Sequence, residues 1–371
     1  MAVIQQSEVA VLQLDPGTFW VFVTLRADTG EIGRGEALLS GQEKLVKAAI
    51  EQAASQLHGH DVDSAALAQP SLALDKATGL LEATVHASLD QALWDLRAQC
   101  LQLPLYKLLG ATRRTSITLY ANINRGTRER SPEGFAARAK LAVGAGFDAI
   151  KIAPFDNFTR ANAYTSSGRQ ALTLGIERVR AVRDAIGPER RLMIDCHCRF
   201  NVASAISFLE HTQAERIDWF EDVLPYHDLD GWRALRNNSQ APLVGGESAR
   251  GTKDLMPFLD QGLWDVVMPD IRFFGGVTEL LALTPLAAQY QVNIAPHNPR
   301  GPVATLASAH VMATCPVFEH LEFQFAEIDW RERLTCGTEH IEGNQLILND
   351  QPGLGLRWDN DVARQHQVLK D

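Results

Sequence analysis

Long hydrophobic runs are missing from this chain. Its 371 residues contain no apolar stretch of membrane-spanning length and no N-terminal charged-then-apolar leader. Excess positive charge is missing as well: 35 Lys and Arg stand against 45 Asp and Glu, a net charge of −10. That balance disfavours nucleic acid or a membrane as a partner, and any anionic substrate would need local positive charge from a lysine or a metal. Cysteine is scarce. Cys100, Cys196, Cys198, Cys315 and Cys336 form no disulfide-framework pattern, so reduced thiols and a cytoplasmic location are expected. Low-complexity segments are absent. What remains is a length that suits one to three domains and a 46% hydrophobic content that suits a sizeable core.

Two textures follow one another. The first ~35 residues read as strands, since "FWVFVTLRADTGEIGRGEALL" alternates apolar positions around a turn at Asp28-Thr29-Gly30. From Gln42 to Leu109 apolar residues recur at helical spacings of three and four, and Gly110 supplies a stop. From Ser116 onward, eight short apolar runs alternate with amphipathic stretches: "ITLYANI", "DAIKIAPF", "RLMIDCH", "IDWFEDV", "PLVGGES", "DVVMPDI", "VNIAPHN" and "HLEFQF". Alternation of that kind builds parallel βα units, and eight of them close a (β/α)8-type barrel. The expected division is an N-terminal α+β capping domain over residues 1–115, a barrel over 116–335, and a C-terminal segment, 336–371, that returns to complete the cap.

Polar residues recur near the C-terminal end of each run: Lys151, Asp195 with His197, Glu221, Glu247, Asp270, His297 and Glu322. The steps from Asp195 to Glu322 are 26, 26, 23, 27 and 25 residues, close to the roughly 30 of one βα unit. All would face the one barrel mouth where active sites are built. Asp195, Glu221 and Glu247, on three consecutive strands, would repel one another without a cation. An all-oxygen set suits a hard ion, Mg2+ with Mn2+ as a substitute, one per subunit. Solvated or salt-bridged acids are the plainer reading for any one of them. Asp270 and His297 end adjacent strands, and a carboxylate beside an imidazole orients a general base; a lone histidine in "IAPHN" would otherwise pass as structural.

In "RLMIDCHCRF" two cysteines flank a histidine, a pattern that could hold zinc. Strand alternation argues otherwise. Asp195 and His197 would share the lumen face, leaving Cys196 and Cys198 to pack under the helices as buried thiols do.

These residues and their surroundings resemble the enolase superfamily, mandelate racemase family. "GRGEALL" and "ALWDLRAQCLQLPLYKLLG" are similar to that family's capping domain, and "MIDCH", "WFEDVLP", "GGES", "VMPDIRFFGGVTE", "APHNP" and "LEFQF" match its strand-end motifs in order and spacing. The resemblance implies Mg2+ on Asp195, Glu221 and Glu247, a base dyad of Asp270 and His297, and a Glu322 that hydrogen-bonds substrate oxygens. One departure stands out: where many members carry Lys-x-Lys, this chain has Lys151 and then Ala153. His197, two residues after the first ligand, resembles the arrangement of the galactonate dehydratase branch of acid sugar dehydratases.

The implied reaction is dehydration of a sugar acid. His297 takes the C2 proton, the metal and Lys151 stabilise the ene-diolate, and His197 protonates the departing 3-hydroxyl, giving a 2-keto-3-deoxy acid. Epimerase or cycloisomerase chemistry on the same scaffold is the alternative, and a non-catalytic sugar-acid binder is the other. The family implies a homo-oligomer. "LDPGTFW", Leu14 to Trp20, is a candidate lid loop with Trp20 against substrate, and "FDNFTRANAYTSSGRQ" is a second candidate, with a plain surface loop the equal alternative for it.

Overall fold

The computed structural model describes residues 2–64 and 79–369. Part of the helical stretch expected between Gln42 and Leu109 therefore lies outside the described residues. Among the described residues no helix is long and apolar enough to cross a membrane.

Strands β1 (Ile4–Asp15), β2 (Thr18–Ala27) and β3 (Ile32–Ala37) form an antiparallel meander. Its first turn is the Pro16-Gly17 pair, with Gly17 at φ 92°. The expected lid at Leu14–Trp20 is thus a tight hairpin whose flanking residues belong to strands. Trp20 is only 1% exposed, edge-on to Trp330 at 5.5 Å and to Phe22 at 6.0 Å. Strand alternation turns it into the core, so it has no open face for a substrate.

Helix Leu80–Cys100 lies across β3 at very short range. A Cβ on Gly33 would stand 2.1 Å from the Ala92 carbonyl oxygen, and one on Gly35 1.9 Å from that of Ser88. The "GRG" of "GRGEALL" is therefore a packing requirement.

The eight strands expected of the barrel form in that order. They are β4 (Ser116–Asn122), β5 (Ala149–Ile152), β6 (Arg191–Asp195), β7 (Trp219–Glu221), β8 (Leu243–Gly245), β9 (Val266–Val267), β10 (Asn293–Ile294) and β11 (Leu321–Gln324). Each pairs in parallel with the next from β4 to β10. An Ile294–Phe318 bridge and the β11–β4 pairing close the ring.

Inside it Tyr120, Ala149, Met193, Trp219, Val244, Val266, Met268 and Ala295 make a separate apolar plug. Trp219 and Tyr120 meet edge-on at 5.4 Å, filling the centre between the small Ala149 and Ala295. Two residues beyond a plug residue the chain returns to the same face. Ala149 leads to Lys151, Met193 to Asp195, Trp219 to Glu221, Met268 to Asp270 and Ala295 to His297. The plug is the floor of the site.

After the barrel the chain does not go straight back to the cap. Strands β12 (His340–Glu342) and β13 (Gln345–Ile347) form a hairpin that joins β4 antiparallel, with Gln345 opposite Thr118. Only then does Gly353 bridge Pro104, and β14 (Gln367–Val368) pairs with β1.

Two buried cap carboxylates dock on the barrel. Glu36 accepts hydrogen bonds from the Gly301 and Ala304 amides, at 2.8 and 3.0 Å, at the start of helix Pro302–Met312. Asp90 accepts from the Thr278 amide at 3.1 Å and hydroxyl at 2.7 Å, at the start of helix Gly276–Gln289. Both satisfy orphan donors of the first helical turn and complement the helix dipole.

Gly35→Ala should destabilise the fold by about 1–3 kcal/mol or more, because backbone must move to admit the methyl group. Urea unfolding checks this: the midpoint should fall with the slope unchanged. An unaltered midpoint would mean the helix can retreat without cost.

Candidate active site

The plug ends at a fully buried ammonium. Lys151 Nζ lies 2.7 Å from Glu221 Oε1 and 2.9 Å from Glu322 Oε1, all three side chains having 0% exposure. Burial disfavours its charged form, but the two carboxylates outweigh that and hold it well above the usual lysine range. The Tyr120 ring lies 5.3 Å beneath it. Glu322 stands level with Tyr120 across the β11–β4 pairing. Its Oε1 also accepts from Asn122 Nδ2 at 2.6 Å and its Oε2 from the Asn298 amide at 2.9 Å. Despite burial, Lys151 foremost and then His297 pull Glu322 below the usual carboxylate range.

Asp270 is a second centre. His297 Nδ1 meets its Oδ2 at 2.9 Å, and a carboxylate can only accept, so Nδ1 carries the hydrogen and Nε2 is the nitrogen left to exchange protons. Arg272 grips the same carboxylate with both arms, Nε to Oδ1 at 2.9 Å and Nη2 to Oδ2 at 2.7 Å. Arg300 Nε approaches at 3.4 Å. Burial alone would raise Asp270, but Arg272, Arg300 and His297 together hold it well below the usual range.

A third pair sits at the end of β6. His197 Nε2 lies 3.1 Å from Asp195 Oδ2, and its amide donates to Asp195 Oδ1 at 3.0 Å. Strand alternation does not produce this. His197 and Cys198 have φ of 48° and 55°, so the strand ends at Asp195 and a left-handed turn swings the imidazole back. Such non-glycine residues cost on the order of 1–3 kcal/mol each and concentrate at functional sites. Asp195 is the main cause lifting the half-exposed His197 to about 9. Cys196 is buried in the main core. Cys198 is not tucked beneath a helix as expected: its Sγ lies 3.9 Å from Asp222 Oδ2.

Glu247 reaches the mouth differently from its neighbours, one residue late, after Gly246 at φ 103°. Its Oε2 stands 3.1 Å from His297 Nε2 without hydrogen-bond geometry, and Glu221 Oε2 is buried with no hydrogen-bond partner. Among the described residues no three His, Cys, Asp or Glu side chains form a cluster able to hold a metal. Instead Lys151 pairs with Glu221, His197 with Asp195, and His297 faces Glu247. Glu221 is raised well above its usual range by burial, with Lys151 opposing and Asp195, Glu322 and Glu247 adding repulsion.

Several residues here escape a strand-end reading. Asp222, 5% exposed, is raised by burial and by the charges of Glu247 and Asp195. Arg272, Arg300 and Asn122 were also hidden. Arg272 and Asn122 carried one signal, a polar residue two positions beyond a lumen residue. Trp20 is not brought to this cluster. The second expected lid is largely anchored. Phe155 and Phe158 are buried against Phe200, Arg130 forks onto Asp156 at 2.7 and 2.8 Å, and helix Ser166–Ile186 takes up the end of the segment.

Comparison with known proteins agrees with this architecture. Residues 9–110 match the family described as mandelate racemase / muconate lactonizing enzyme, N-terminal domain, and residues 134–362 match enolase C-terminal domain-like proteins. A D-gluconate dehydratase of Thermoproteus tenax is 29% identical, covering 99% of this chain and 75% of its own. A D-xylonate dehydratase of Haloferax volcanii is 26% identical, covering 98% and 89%. The crystal structure of the 3,6-anhydro-D-galactonate cycloisomerase from Zobellia galactanivorans superposes with a TM-score of 0.86 at 26% identity, covering 99% of each chain. The chain belongs to the mandelate racemase / muconate lactonizing enzyme family of the enolase superfamily.

Proposed function

We propose that this protein is an acid sugar dehydratase that removes the proton α to a carboxylate and then expels the 3-hydroxyl. One observation carries the reading. Two histidines are each held by their own aspartate, His297 on Asp270 and His197 on Asp195, and both feel Glu247, which stands 3.1 Å from His297 Nε2 and adds to the charge that lifts His197. A dehydration needs one group to take a proton and another to give one. Ala153 removes the alternative lysine base, and the dehydratases named among the relatives support the same reaction class.

The chemistry of these acids, though not their present arrangement around Lys151 and the histidines, fits a divalent cation. Glu221 Oε2 is a buried orphaned acceptor, and Asp195, Glu221, Asp222, Glu247 and Glu322 crowd one ammonium and two imidazoles. Asp195, Glu221 and Glu247 would hold Mg2+, which is typical of this family. When bound, Mg2+ supplies a Lewis acid for the substrate carboxylate.

This chain's residues then divide the work. His297 Nε2 accepts the C2 proton, while Arg272 and Arg300 keep Asp270 ionised behind it. Lys151 neutralises charge that develops on the carboxylate. The C3–O bond breaks as His197 donates its proton to the leaving hydroxyl. One water is lost in all, and the enol tautomerises to a 2-keto-3-deoxy acid. Glu322, fixed by Asn122 and Asn298, accepts hydrogen bonds from substrate oxygens.

Chelation should abolish turnover and Mg2+ restore it; Glu221→Gln should weaken Mg2+ binding at least about tenfold by equilibrium dialysis, the scale of a perturbed metal shell. Full turnover in excess EDTA would sink the metal assignment. His297→Asn should lose dehydration and C2 proton exchange together, by about 10²–10⁴-fold. Retained exchange would move the base elsewhere, with Lys151 the first suspect. His197→Asn should lose dehydration by a similar factor yet keep solvent deuterium entering C2 of recovered substrate, followed by NMR. Joint loss with substrate and metal still bound would mean that His197 is not the general acid. Exchange without any dehydration in the unaltered protein would instead favour an epimerase or cycloisomerase.

A further inference from the structure

Arg300 is a cation without an acid of its own. Asp270 is already committed, gripped by both arms of Arg272 and bonded to His297. Arg300 reaches it only through Nε at 3.4 Å, and its Nη1 reaches the Pro299 carbonyl at the same 3.4 Å. Its Nη2 makes no hydrogen bond to any described residue. The other nearby acid is also spent, since Glu322 serves Lys151, Asn122 and Asn298. Arg125, a neighbouring charge, pairs with Glu327. Yet the Arg300 side chain is just 14% exposed. A guanidinium so far removed from water and so poorly matched is costly unless something anionic completes it. Burial, and then Arg272, lower it to about 10, which leaves it charged at neutral pH.

The loop that carries it is rigid. The Arg300 amide donates to the Asn298 carbonyl at 2.8 Å, and its carbonyl accepts from Arg331 Nη1 at 2.7 Å. The next residue, Gly301, is held by Glu36 from the cap. Arg300 lies three positions after His297, so it is presented at the same barrel mouth as the base.

We propose that Arg300 binds a second carboxylate of the substrate, and that the substrate is an aldarate, a sugar acid with a carboxylate at each end. This rests on the dehydratase reading, under which the first carboxylate lies toward Lys151 and the divalent cation that Asp195, Glu221 and Glu247 would hold. A planar carboxylate suits the Nη1–Nη2 edge of a guanidinium, which presents two parallel donors. A neutral terminal hydroxyl could use one donor and would leave the charge unbalanced. The D-gluconate and D-xylonate dehydratases among the relatives are named for sugar acids with one carboxylate, so an aldarate preference would be a difference in substrate from them.

Matched pairs test it: galactarate against galactonate and glucarate against gluconate, with Mg2+, following 2-keto-3-deoxy products with semicarbazide. The unaltered protein should prefer the better aldarate in kcat/KM by about 10- to 150-fold, the scale of one charged hydrogen-bonded contact. Arg300→Met should lose that preference chiefly through KM, and Arg300→Lys should recover part of it. Turnover of aldonates equal to or better than that of aldarates overturns the proposal and leaves the dehydratase reading intact. An equal fall on both classes in Arg300→Met also overturns it, because Arg300 would then act only through Asp270. No turnover of any acid sugar removes both. The preference of the unaltered protein decides the matter even if the variants fold poorly.

Discussion

A single buried ammonium organises the barrel mouth. Lys151 lies between Glu221 and Glu322 with no access to water, in surroundings where an uncompensated carboxylate would cost several kcal/mol. The ammonium holds Glu322 ionised against burial and opposes, without overcoming, the burial that raises Glu221, while the two carboxylates keep it charged. The trio stands on Tyr120 and Trp219, whose rings fill the lumen below. A large apolar floor keeps water from entering underneath and holds the polar layer at one height. That height is set by strand register, since most of the working residues lie two positions beyond a plug residue.

The cap contributes through backbone chemistry. Glu36 and Asp90 each sit at the start of a barrel helix, and those helices follow the strand ends that bear His297 and Asp270. Arg272 adds a 3.3 Å bond to the Leu38 carbonyl, just beyond β3. The dyad is thereby tied to the cap at three points. Gly33 and Gly35 admit the cap helix to within touching distance of β3; one face of that strand takes the helix while Glu36 reaches into the barrel. Packing inside the cap and alignment of the proposed base are consequences of the same few residues.

The two histidines show how environment separates otherwise equal groups. His297 is nearly buried and donates Nδ1–H to an aspartate that two arginines keep ionised. His197 is half-exposed, held on a left-handed turn, and charged by its own aspartate. The proposed dehydration, with one group to take a proton and another to give one, suits this asymmetry.

Local rules were enough for much of this. Short apolar runs at regular spacing, alternating with amphipathic stretches, named eight strands and their order, because a parallel barrel repeats one unit. The recurrence of an acid near the strand ends named Asp195, Glu221, Glu247, Asp270 and Glu322; side chains at equivalent positions of equivalent units share a face, and Glu247 joins them one residue later, past the left-handed Gly246. Trp20 escaped, since an aromatic after a Pro-Gly turn reads alike in a lid and in a hairpin. His197 reached the mouth by backbone conformation where parity had been expected to bring it, and sequence pattern does not encode a left-handed turn at a non-glycine residue. That Arg272 and Arg300 are partners of Asp270 was illegible for another reason. Arg272 and Arg300 matter through where the sixth and seventh strands place them relative to one carboxylate, and Glu36 through a helix start 265 residues away. Periodicity names the residues that share a face; only closure of the barrel and docking of the cap decide which charges meet.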